Sequence, residues 1–208
     1  MTFSLITVDR NHDFMVVATA TKTPAVGESV PAILPGVGGV VSQSFTNPQL
    51  RELCLSALAG GHTPTEAITF ALESDGEPEL RQLGLMSAAG QAAAHTGNGC
   101  TPATGELVLE NFLGVGNLLA NNSVIPAMAR AWEGASGLED LARSALRCMV
   151  AAEAAGGDSR GKQSAAMLIS SMGADAELLA ELRVDDSLEP LDELEELLTS
   201  FLAKAPSV

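Results

Sequence analysis

The sequence has no tyrosine, one tryptophan and six phenylalanines, so aromatic residues make up only 3% of its 208 positions. A core built without large rings must come from Ala, Leu, Val, Ile and Met, with 20 glycines permitting close packing and tight turns. Basic residues are also few. Eleven Lys and Arg stand against 26 Asp and Glu, for a net charge of −15. Such a chain repels phosphate backbones, which argues against nucleic acid as a partner. Only three cysteines occur, Cys54, Cys100 and Cys148. Their odd number and wide spacing give no disulfide framework. The three histidines (His12, His62 and His95) do not cluster with them, so no metal-ligand spacing emerges. No apolar run approaches the roughly 18 residues of a membrane span. The first residues lack a basic stretch followed by an apolar one, as a secretory signal would need. These absences lead us to expect a cytoplasmic protein with reduced thiols, no membrane partner, no bound metal and no organic cofactor.

What is present reads as globular. Hydrophobic residues make up 46% of the chain and its mean hydropathy is +0.22, enough to fill one core. No linker-like or low-complexity stretch divides it, so residues 1–208 are expected to form one domain. Phe3–Asp9 and Phe14–Ala20 alternate as two strands around the turn Arg10-Asn11-His12-Asp13. Val37–Ser44 reads as a third β segment. A helix should begin at Asn47-Pro48 and stop at Gly60-Gly61. A second has Thr63 as N-cap, Pro64 at the first helical position and Glu66 three residues after the cap. Leu80–Ser87 and Gln91–Thr96 form a hairpin, and Leu107–Leu119 holds one or two strands. Further helices are expected after Ser123, through Ala131, and after Ser136, through Ala155. Gln163–Ser171 reads as a final buried strand, followed by a helix-like Met172–Glu181. An acidic C-terminal helix is expected at about 188–204. Strands, two helices, strands, two helices and a strand is an α+β order, suited to a layered sandwich.

Chemistry is hard to find by motif. No P-loop, dinucleotide fingerprint or Gly-x-Ser-x-Gly elbow occurs. What stands out is Thr2, directly behind Met1. Removal of Met1 would leave a threonine with a hydroxyl nucleophile and a free α-amine as its own general base, at the start of a strand. With Met1 in place that base does not exist. Lys22, after the second strand, could lie beside Thr2 and lower the amine's pKa, or be a surface cation. Gly116-Asn117 could place an amide and a backbone N–H at a strand end, as an oxyanion site needs, or be an ordinary glycine-bearing strand. Arg160, in Gly156-Gly157-Asp158-Ser159-Arg160-Gly161-Lys162-Gln163, could clamp a substrate carboxylate, or pair with Asp158 at a helix end.

The same segments carry a family resemblance. Met1-Thr2-Phe3-Ser4, Pro24-Ala25-Val26-Gly27, Gln43, Phe45-Thr46-Asn47-Pro48, Arg81-Gln82, Gly116-Asn117, Gly156–Ala166 and Leu182-Arg183-Val184-Asp185-Asp186 resemble a bacterial family, domain of unknown function 1028. Gly-Gly-Asp-x-Arg-Gly-x-Gln-Ser-Ala-Ala is the most specific block. The chain departs from the family at Val115, where a Gln is common. The resemblance implies the N-terminal-nucleophile hydrolase fold, a four-layer α-β-β-α sandwich. It also implies Thr2 as nucleophile and its freed amine as base. With it we expect Lys22 and Asn117 as catalytic companions, and Gly116, Gln43, Asn47, Asp158, Arg160 and Gln163 as oxyanion or substrate contacts. The expected activity is hydrolysis of an amide in a small or peptide-like substrate. The rivals are a small-molecule-binding protein that kept the fold and an interaction protein that docks through its acidic C-terminal helix. That helix would also suit a homodimer.

Overall fold

A computed structural model describes residues 2–204. In chain order the elements are β1 (Thr2–Asp9), β2 (Phe14–Thr21), α1 (Val26–Ser29), β3 (Pro31–Leu34), β4 (Gly38–Ser44), α2 (Gln49–Ala59), α3 (Pro64–Glu73), β5 (Arg81–Ser87), β6 (Ala92–Thr96), β7 (Gly105–Leu109), β8 (Phe112–Asn117), α4 (Val124–Arg130), α5 (Leu138–Ala154), β9 (Ser164–Ser171), β10 (Leu178–Val184) and α6 (Pro190–Leu202). The strands form two antiparallel sheets, one ordered β10-β9-β2-β1-β8-β7 and the other β3-β4-β5-β6. The expected α+β composition is therefore present.

Period-two alternation sorts the side chains of each strand onto two faces. On one face of the larger sheet, Phe3, Leu5, Val16, Ala18, Met167 and Ile169 join α4, α5 and α6 in a core. On the other face, Ile6, Val8, Met15, Val17, Leu113 and Val115 meet Val41 and Met86 of the smaller sheet. The smaller sheet turns Val40, Leu83 and Leu85 toward α2 and α3. Gly39 makes the contact between sheets possible, since a Cβ there would stand 2.7 Å from Val17 Cγ2 and 2.9 Å from Met15 Sδ.

Several expectations hold locally. The box at the start of α3 has both of its hydrogen bonds: Glu66 N–H donates to Thr63 Oγ1, and Thr63 N–H donates to Glu66 Oε2 at 2.8 Å. Other readings need correction. β9 is not the last strand, because β10 pairs with it on the sheet's edge, and the segment expected to be helix-like enters that strand at Leu178. Gly137, not Ser136, precedes α5. There the Gly137 N–H is received by the Asp9 carboxylate at 2.7 Å, while Asp140 receives the Ser136 N–H. β3 and the one-turn α1 went unread: one is a four-residue edge strand and the other a single turn, too short for a periodic signal.

Candidate functional site

At one end of the space between the sheets, five strands change from apolar to polar on the same face. In β1, Thr2 and Ser4 precede Ile6 and Val8. In β2, Thr19 and Thr21 follow Met15 and Val17. Asn117 ends β8 after Leu113 and Val115. Gln43 follows Val41 in β4, and Gln82 precedes Met86 in β5. All seven polar residues are buried. Register stacks two facing pairs: Thr2 stands opposite Asn117 in the larger sheet, and Gln43 stands opposite Gln82 in the smaller.

A buried polar group must find a partner or the fold loses stability, so this end is knit by side-chain hydrogen bonds. Gln43 Nε2 donates to the Thr2 carbonyl at 3.3 Å and to Gln82 Oε1 at 2.8 Å. Ser4 donates to Gln43 Oε1 at 2.7 Å, and its Oγ lies 2.8 Å from Thr19 Oγ1. Gln82 Nε2 donates to the Gly116 carbonyl at 2.8 Å and to Thr96 Oγ1 at 3.0 Å, and Gln82 Oε1 also accepts from Asn117 Nδ2 at 3.0 Å. The carbonyls of Thr2 and Gly116 can only accept, which fixes which end of each glutamine carries the nitrogen. Thr2 Oγ1 lies 3.4 Å from Thr21 Oγ1, across the β1–β2 ladder.

The end of β2 leads to the second cluster. Gly156 and Gly157 adopt φ of 122° and 51°, conformations that favour glycine, and turn the chain out of α5. This brings Asp158 into an isolated bridge with Leu119, its side chain only 2% exposed. Asp158 Oδ2 accepts from the Lys22 N–H at 2.7 Å and from Arg160 Nη2 at 3.1 Å. Asp158 Oδ1 accepts from the Arg160 N–H at 2.8 Å and from its Nε at 3.2 Å. The Lys22 ammonium donates to the Lys162 carbonyl at 2.9 Å. A cleft of about 110 Å³ lies beside this cluster, lined by Phe3, Thr21, Glu153, Asp158 and Lys162 among others. Thr2 does not line it. Hydrogen bonds from Lys162 to Glu189 at 2.6 Å and to Glu153 at 2.9 Å hold the ammonium's pKa above its usual range, despite partial burial.

Of the residues singled out from sequence, the structure thus gathers Thr2, Gln43, Gly116 and Asn117 at one strand end. It joins Lys22, Asp158 and Arg160 in an adjoining cluster, next to Thr21. Asn47 and Gln163 are engaged elsewhere. Asn47 Nδ2 donates to Asp75 at 2.8 Å, beside the Asp75–Arg81 ion pair. Gln163 Nε2 donates to Asp186 at 3.1 Å, although its backbone N–H reaches the Thr21 carbonyl at 3.0 Å. Thr21, Ser4 and Gln82 were not singled out as site residues. The signal that could have found them is the polar residue at the same end of each inward strand face. Among the described residues no group of three or more His, Cys, Asp or Glu is arranged to hold a metal ion, and no helix is long and apolar enough to cross a membrane.

Two facing antiparallel sheets that enclose a polar strand end define an α+β protein with a buried, pre-organised polar site. Residues 2–194 match the family of unknown function DUF1028, and the chain belongs to that family. It is similar to the crystal structure of a family member from Silicibacter pomeroyi, with 29% identity and a TM-score of 0.87 over 99% of this chain and 87% of that one. A remoter similarity, at TM-score 0.48 and 13% identity over 98% of this chain and 97% of that one, is to a Gly-1 mutant of Anbu from Hyphomicrobium sp. strain MC1. Anbu (ancestral beta-subunit) from Yersinia bercovieri aligns at TM-score 0.42 and 13% identity over 100% and 99% of the two chains. No curated protein matches the chain.

Proposed function

We propose that this protein is an N-terminal-nucleophile amidohydrolase on a four-layer α-β-β-α sandwich, with Thr2 as nucleophile once Met1 is removed. The layering is supported by the three cores, with α4, α5 and α6 against one sheet and α2 and α3 against the other. The observation that carries the reading is the placement of Thr2. It opens an interior strand directly opposite Asn117, with its carbonyl held by Gln43 and its hydroxyl beside that of Thr21.

In this reading Thr2 Oγ attacks the carbonyl carbon of the substrate while its proton passes to the Thr2 amine. Asn117, with a backbone N–H nearby, stabilises the oxyanion, and Gly116 lets the strand end approach the substrate closely. As the C–N bond breaks, the amine returns the proton to the leaving nitrogen. Water then cleaves the acyl ester, releasing a carboxylic acid and restoring Thr2. Lys22, one residue beyond Thr21, favours the neutral amine through its charge. Asp158 and Arg160 position the loop that flanks Thr21.

A panel of small p-nitroanilides and aminocoumarin amides, offered to chain with a free Thr2 amine, tests the reading. We expect Thr2→Ala to lose turnover by about 10³-fold or more and Thr2→Ser to retain part of it. Equal turnover by Thr2→Ala and the unmodified chain would sink the proposal. A second reading, a non-catalytic small-molecule-binding protein, is favoured by the 6% exposure of Thr2 and by the cleft that Thr2 does not line. It predicts ligand binding that Thr2→Ala leaves intact, with no turnover by either protein.

A further inference from the structure

We infer that Gln82 is a positioning residue for this site, holding the Asn117 amide and the Gly116-Asn117 strand end in the geometry that acyl transfer at Thr2 requires. The inference rests on the hydrolase reading above.

A wholly buried glutamine in a strand is unusual, since burial without full pairing is costly. Gln82 is 0% exposed and uses its whole side-chain capacity. Two donors reach Oε1, one from each sheet: Gln43 at 2.8 Å and Asn117 at 3.0 Å. Both N–H groups are used as well, on the Gly116 carbonyl at 2.8 Å and Thr96 Oγ1 at 3.0 Å. Thr96 in turn donates to Glu106 at 2.8 Å, which fixes the direction of that chain of bonds. Gln82 therefore grips both the side chain of Asn117 and the backbone just before it.

The consequence for chemistry lies in donor count. An Asn carries two Nδ2–H donors. One is tied to Gln82, so the amide cannot rotate freely and the second is held in one direction. An oxyanion donor works through such pre-orientation, because no reorganisation is then needed as charge develops. Gln43 completes the arrangement: it donates both to Gln82 and to the Thr2 carbonyl, so one amide pair sets nucleophile and oxyanion donor relative to each other. Gln82 itself reaches no reacting atom and acts through Asn117 and Gly116.

The test uses p-nitrophenyl acetate, whose small acyl group makes few demands on a pocket, on chain from which Met1 has been removed to free the Thr2 amine. The burst of p-nitrophenol gives the acylation rate and its half-saturating ester concentration, and mass spectrometry locates the acetyl group. We expect the unmodified chain to acetylate at Thr2. Gln82→Met should acetylate about 10²-fold more slowly at saturating ester, with the half-saturating concentration unchanged, as for loss of one oriented oxyanion donor. Gln82→Glu keeps acceptor oxygens for Gln43 and Asn117 but, when ionised, loses the donors to Gly116 and Thr96. Its rate relative to the unmodified chain at the same pH should rise as pH falls and its buried carboxyl regains a proton.

A folded Gln82→Met that acetylates at the unmodified rate would overturn the inference while leaving the hydrolase reading intact. Should Gln82→Met not fold, a Gln82→Glu rate ratio near one at every pH would overturn it equally. An unmodified chain that never acetylates at Thr2 would remove the hydrolase reading, and this inference with it.

Discussion

The backbone N–H of Lys22 donates to the Asp158 carboxylate at 2.7 Å, joining the end of β2 to a loop 136 residues further along the chain. The same carboxylate receives the backbone N–H and guanidinium of Arg160, so one buried charge organises the loop beside Thr21. Thr21, whose hydroxyl lies 3.4 Å from that of Thr2, is held by the same loop through its carbonyl, which accepts from the Gln163 N–H.

Asp158→Ala should therefore destabilise the protein by about 2–4 kcal/mol, because four N–H donors lose their shared acceptor. Arg160→Ala should cost less, about 1 kcal/mol, as the guanidinium is 41% exposed and water can replace part of its pairing. Urea unfolding of the two variants checks the order. Equal losses would mean that the carboxylate is not the organiser.

Acid should weaken the fold through Asp75. Burial raises its pKa, but hydrogen bonds from Arg81, Asn47 and the Glu77 N–H outweigh that, leaving it below the ordinary value of 3.8. A carboxyl depressed in this way stabilises the folded state above its unfolded pKa and loses that contribution as pH falls through the folded one. Stability should thus decline from about pH 4 downward, and Asp75→Asn should flatten that limb while lowering stability at neutral pH. Thermal melts between about pH 2 and pH 7 report both effects. An unchanged acid limb in Asp75→Asn would contradict the assignment.

Gly39→Ala should cost about 1–3 kcal/mol, since its Cβ would press Val17 and Met15 and push the two sheets apart. Gly76→Ala is the control, with nothing within 4 Å of the added atom, and should lie within about 0.5 kcal/mol of the unmodified chain. Chemical denaturation distinguishes them, and equal stability of the two variants would argue against tight contact at Gly39.

The thiols should be inert in the native protein. Burial pushes Cys54 and Cys148 up to about 12, and Cys100 is buried with its Sγ 3.3 Å from the Arg81 carbonyl. A disulfide reagent should titrate no thiol at neutral pH and all three after denaturation. A thiol reacting at once in native buffer would place that cysteine in a more open environment.

Much of the fold was legible where local rules act alone. The box at Thr63 and Glu66 and the alternation of β1 and β2 each depend on residues within a few positions of one another. β10 was not legible. It lies on a sheet edge, half exposed, and the Ala174-Asp175-Ala176-Glu177 run before it favours a helix, so pairing with β9 decides its state. The start of α5 depends on Asp9, a residue far away in sequence. The candidate site divides in the same way. Thr2, Asn117 and Asp158 could be singled out by residue type and position. That Thr2 faces Asn117 while Gln43 faces Gln82 is long-range register, which no local pattern contains. Asn47 carried a family motif, yet its side chain supports Asp75.

In the proposed mechanism Thr2 acts with its own free amine. The intact mass of untagged protein purified from its native host tests this most directly. The mechanism requires a chain one methionine lighter than the full sequence, beginning at Thr2. A mass that retains Met1 would contradict it, because Thr2 would then have no amine to accept its proton.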